Sequence, residues 1–172
     1  MSHLTRPLIA LALLAILVPA STALAQRDAG AKIRGEYNFH GSAAGSAMRS
    51  ARDNSGYYRQ YAQSAPEKKV TPETAREAAD TIGTYITKAQ KHMAWMRKQA
   101  QAGNDKETLT SLDVIDKSLA DATKSHHEMH ETCLKDNVDA AATMECCKTI
   151  DASLAKAIAE HDKLMKRLAT KK

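Results

Sequence analysis

Between Ser125 and Cys147 the chain reads SHHEMHETCLKDNVDAAATMECC, which holds three histidines, two methionines and all three cysteines of the protein. His126, Met129, His130 and Cys133 recur at i, i+3, i+4 and i+7, the spacing that sets side chains on one stripe of an α-helix. LKDN then breaks the pattern, and Met144, Cys146 and Cys147 return on what reads as the next helix. Two antiparallel helices joined by a short turn would bring the seven residues face to face. With the turn centred near residue 136, His126 lies level with about Cys147 and His130 with about Thr143. Thiolate, thioether and imidazole are soft donors, so the metal expected at His126, Met129, His130, Cys133, Met144, Cys146 and Cys147 is Cu(I). Zinc is the second choice, since it suits Cys and His but not Met.

Other metal chemistries fit less well. Carboxylates are sparse on these stripes, which argues against calcium and magnesium. Di-iron bundles need Glu-x-x-His pairs, and zinc proteases need H-E-x-x-H; neither pattern occurs. A secondary ligand group is expected at the opposite end, from His92, Met96, His161 and Met165, with Met93 beside them and His40 as a further candidate.

These residues need long helices to position them, and the sequence supplies the signals. Thr71-Pro72-Glu73 reads as an N-cap, a proline at the first helical position and an acid in the first turn. That helix carries Ala75, Ala78, Ile82, Ala89 and Met96 inward and ends near Gly103. The next starts at Asn104 with Glu107 as capping partner. Its stripe is Leu112, Ile115, Leu119, Ala122, His126, Met129 and Cys133. A last helix follows Asp136 or Asn137 and carries Met144, Cys147, Ile150, Leu154, Ile158 and Leu168. The first helix, from about Ser42 to Ser64, is weakened by Gly45 and Gly56. The expected fold is all-α: an antiparallel up-and-down four-helix bundle over residues 42–170, with turns near 66–70, 102–105 and 135–138.

Ahead of the bundle, residues 1–25 read as a cleaved secretory signal peptide. Arg6 precedes an apolar run from Leu8 to Val18, too short to span a bilayer, and Ala23-Leu24-Ala25 supplies the small residues of a cleavage site. Residues 26–41 read as a flexible N-terminal arm. The mature chain is then exported to a periplasmic or extracellular space, with no membrane span left after cleavage. Removing the leader takes away one arginine and no acid, so about +4 of the formal +5 remains. Basic and acidic residues alternate, and there is one Trp and one Phe, so a nucleic-acid surface is not expected.

With Cys, Met and His side chains lining the inside of a helical bundle behind a leader, the chain resembles the exported four-helix-bundle copper-storage proteins. The resemblance implies a copper-binding interior. Three cysteines stand where that family has many, which fits one to a few ions and a buffer, carrier or sensor rather than a store. The alternative is a non-enzymatic structural or interaction bundle in which Cys133 pairs with Cys146 or Cys147, a staple worth roughly 3 kcal/mol for a loop of about 14 residues. A haem-binding bundle ranks third, with covalent attachment excluded for want of C-x-x-C-H. No Ser-His-acid set, paired carboxylates or Gly-rich phosphate loop points to an enzyme.

Overall fold

A computed structural model describes residues 20–65 and 69–170. Among these residues there are four helices and no strand: α1 (Ala20–Ser64), α2 (Pro72–Ala102), α3 (Lys106–Cys133) and α4 (Ala140–Thr170). The chain divides into two compact units, Met1–Arg34 and Gly35–Lys172. In the first, residues 20–34 are helical. Most of the expected leader, residues 1–19, lies outside the described residues. The rest of the fold belongs to the second unit.

The local signals act much as their chemistry requires. Thr71 caps α2 by accepting from the Thr74 N–H at 3.4 Å, with Pro72 at the first position. The α2–α3 turn differs from expectation by one residue. Gly103 keeps φ −86°, and Asn104 takes the left-handed conformation at φ 50°. Asparagine tolerates that region better than most residues with a Cβ. Asp105 rather than Asn104 then caps α3, accepting from the Thr108 N–H at 3.1 Å and the Thr108 hydroxyl at 2.8 Å. Asp139 does the same for α4, with Oδ1 accepting from the N–H groups of Ala141 and Ala142.

The first helix corrects the sequence reading. It was expected from Ser42, with 26–41 as a flexible arm, yet it begins at Ala20. Within the second unit the extension carries side chains that pack. The Tyr37 hydroxyl donates to the Met96 carbonyl at 3.4 Å, and its ring meets Trp95 edge-on at 5.6 Å. His40 stacks flat on Trp95 at 4.1 Å. A helical glycine such as Gly35 costs about 1 kcal/mol relative to alanine. Packing Tyr37 and His40 against Trp95 offsets that cost.

Residue numbers rise along α1 as those of its α4 partners fall: Arg49 meets Asp162, Arg52 meets Asp151, Ser55 meets Cys147 and Tyr58 meets Thr143. Along α2 and α3 the partners run likewise, from Arg76 with Cys133 through Gln90 with Thr123 to Arg97 with Asp116. One apolar core fills the space between the helices. Its largest fully buried side chains include Met48, Ile82, Met93, Met96, Leu112, Ile115, Leu119, Ile150, Leu154 and Leu164.

Candidate metal centre

The α3 stripe delivers Met129 and Cys133, one turn apart, into the core, and α4 delivers Cys147 opposite them. All three are fully buried. The Cys147 thiol donates to the Met129 sulfur at 3.6 Å. Cys146 is half-buried at the edge, and Met144 packs against the same core. All three cysteines are free thiols, so the Cys133 staple is not formed.

The thiols sense one another electrostatically. Burial, and then the nearby Cys146, pushes the Cys133 thiol up to about 11. Burial also pushes Cys147 up to about 11; Ser55 pulls it the other way, and Cys146 and Cys133 add to the rise. Cys146 is raised too, by burial first and then by Glu128. Two bonds tie α1 to α4 here. The Ser55 hydroxyl donates to the Cys147 carbonyl at 3.0 Å, and the Tyr58 hydroxyl donates to Thr143 Oγ1 at 3.1 Å. Arg76 closes the end of α3 by donating to the carbonyls of Cys133 and Leu134.

The histidines of α3 do not join the sulfurs. His126 was expected to face α4; instead its Nε2–H donates to the Ala79 carbonyl of α2 at 2.8 Å. Its ring occupies the notch left by Gly83, where a Cβ would stand 2.6 Å from Cε1. His130 faces Asp80 of α2 at 3.4 Å, and His127 is exposed. The reason is angular. At about 100° per residue, Met129 and His130 stand about 100° apart on α3, so a stripe holding both faces two neighbouring helices. Burial holds the His126 imidazole below its ordinary range, although the Ala79 bond works in the opposite direction.

The secondary group also divides. His161 repeats the device of His126 on α1: its Nε2–H donates to the Gly41 carbonyl at 2.9 Å while the ring lies over Gly45. Met165 packs on Gly41. Met93 and Met96 are fully buried core residues of α2. His92 pairs with His40, Nδ1 to Nδ1 at 2.9 Å. Burial, then His40 and the lysines Lys88 and Lys91, holds His92 below its ordinary range.

Sequence reasoning missed Asp80, Trp95 and Phe39 as neighbours of these histidines. It also read Gly45 only as a weakness of α1, although two helical glycines facing two imidazoles, one buried and one half-buried, are a signal of sockets. Among the described residues, no group of three or more His, Cys, Asp or Glu side chains is placed to hold a metal ion. Comparison with known proteins finds no matching family, no matching curated protein and no matching solved structure.

Proposed function

We propose that this chain is an exported, antiparallel up-and-down four-helix bundle that binds Cu(I) and serves as a copper buffer, carrier or sensor rather than an enzyme. The observation that carries the reading is the 3.6 Å contact between Cys147 Sγ and Met129 Sδ in the packed core, where Cys133 is close enough for its charge to be felt by the Cys147 thiol. Thiolate with thioether in the buried core selects Cu(I) over Zn(II), and the half-buried Cys146 offers a route by which an ion can enter. The ligands are Met129, Cys133 and Cys147, with Cys146 and Met144 at the rim. His126 and His130 leave the ligand set, because their bonds to Ala79 and Asp80 hold them on α2. The rising and falling partner numbers support the antiparallel topology, and the leader-like residues 1–25 support export.

The test is an anaerobic Cu(I) titration of the reduced protein against a competing chelator. Cys147→Ala should lower affinity at least tenfold, whereas His126→Gln and His130→Gln should leave it within about twofold. A ligand held only by the native state adds RT ln(1 + [L]/Kd), about 4 kcal/mol at a thousandfold excess over Kd, so the wild type should melt visibly higher with Cu(I). An unchanged melting temperature and no competition with the chelator would reject copper binding and leave the structural-module reading.

A further inference from the structure

A second cluster of ligand-type side chains lies on the α1–α2 seam, built from nitrogen rather than sulfur. His40 of α1 and His92 of α2 present their Nδ1 atoms to each other at 2.9 Å. Both rings are held in place. His40 stacks on Trp95 at 4.1 Å and 3° between planes, and Phe39 packs edge-on against His40 at 5.2 Å and His92 at 6.1 Å. Both histidines are half-exposed, so an ion can reach them.

We propose that His40 and His92 form a separate two-imidazole site for a divalent transition-metal ion of tetragonal preference, Cu(II) or Ni(II). The 2.9 Å separation is that of an N–H···N hydrogen bond, so the two nitrogens already adjoin and a small turn of either ring lets both reach one ion. Imidazole with water in the remaining positions suits Cu(II) and Ni(II), and Cu(II) binds such donors most tightly of the first-row divalent ions. Without metal, one Nδ1–H donates to the other Nδ1. On binding, that ring's proton moves to its own Nε2 and both Nδ1 lone pairs go to the ion, so each imidazole stays neutral and no proton is released. This inference goes beyond the Cu(I) reading and uses none of its ligands.

The protein carries its own reporter, because Trp95 is the only tryptophan. Ni(II) is the first probe, since it does not oxidise the thiols; Cu(II) follows on the Cys133→Ala, Cys146→Ala, Cys147→Ala variant. Stepwise Ni(II) at neutral pH should quench Trp95 emission and saturate at one equivalent. His40→Gln and His92→Gln, each checked for helicity, should weaken the quenching at least tenfold, and His127→Gln should not. The Cu(II) electron paramagnetic resonance spectrum should be axial with two nitrogen couplings. Quenching of equal affinity in His40→Gln and His92→Gln would overturn the proposal, as would a wild type that does not saturate. Loss of Cu(I) binding in the cysteine variant with Ni(II) quenching intact would separate the two sites.

Discussion

Replacing Gly83 with alanine tests where His126 points. In an open helical position the change gains about 1 kcal/mol, because glycine is the poorer helix former by that amount. At Gly83 the new Cβ would stand 2.6 Å from both Cε1 and Nε2 of His126, closer than non-bonded atoms approach. The ring must then leave its notch and give up the 2.8 Å bond to the Ala79 carbonyl. With the ring displaced the overpacking is relieved, and the loss is the hydrogen bond, about 0.5–1.5 kcal/mol. That loss cancels the helix gain, so Gly83→Ala should leave stability within about 0.5 kcal/mol of the wild type. Gly56 is the internal control: it lies inside α1, and a Cβ there would meet nothing within 4 Å. Gly56→Ala should therefore stabilise by about 1 kcal/mol. Urea midpoints at unchanged slope read both values. Adding His126→Ala to Gly83→Ala removes the clash, so the two changes should be strongly non-additive. If Gly83→Ala stabilises as much as Gly56→Ala, the imidazole does not occupy that notch, and the exclusion of His126 from the sulfur site fails with it.

Three further outcomes follow from the same contacts. Iodoacetamide at pH 8 should label Cys146 well before Cys133 or Cys147, because the latter two are fully buried and protonated; equal labelling rates by peptide mass would contradict the burial. Tyr58→Phe should cost about 1 kcal/mol, near the net worth of one buried hydrogen bond, since Thr143 keeps its own bond to the Ala140 carbonyl; a calorimetric change near zero would remove the contact. Burial, their largest cause, depresses His92 and His126 in the folded chain, so the unfolded chain binds more protons below its own value of 6.5. Their contribution to stability is thus complete above about pH 6.5 and declines as pH falls toward the folded values. The His92→Gln, His126→Gln variant should flatten the fall in urea midpoint from pH 7 to 5.

The four helices and their turns were readable because their signals are local. Thr71-Pro72, the short polar runs ahead of α3 and α4 and the three-and-four spacing of apolar residues each act within a few positions. The extension of α1 ahead of Ser42 within the second unit was not readable, because what holds Tyr37 and His40 in the helix is Trp95 and Met96, more than fifty residues away. The same distinction explains the site. Spacing placed His126, Met129, His130 and Cys133 on one stripe, and they do share it. It does not say which neighbouring helix each edge of a stripe about 100° wide will meet. Glycines decide that here, since only a position without a Cβ lets an imidazole reach a helical carbonyl, as at Gly83 and Gly45.

Burial of the thiols sets how any soft metal must bind. Cys133 and Cys147 lie near 11, about two units above the ordinary 9.0. Ionising either one in the apo core therefore takes about 3 kcal/mol more than ionising an exposed thiol. A copper ion that binds as thiolate must displace that proton, and in doing so it replaces one charge-neutralising partner with another. The metal and the proton then compete for the same sulfur. From pH 6 to 8, well below both thiol values, each thiolate used raises Cu(I) affinity tenfold per pH unit. A chelator competition across that range therefore counts thiolates by slope. A slope of two means that Cys133 and Cys147 both bind, and a slope of one means a single thiolate with Met129 in support. An affinity that does not change with pH would assign the ion to thioether alone and refute the thiolate site.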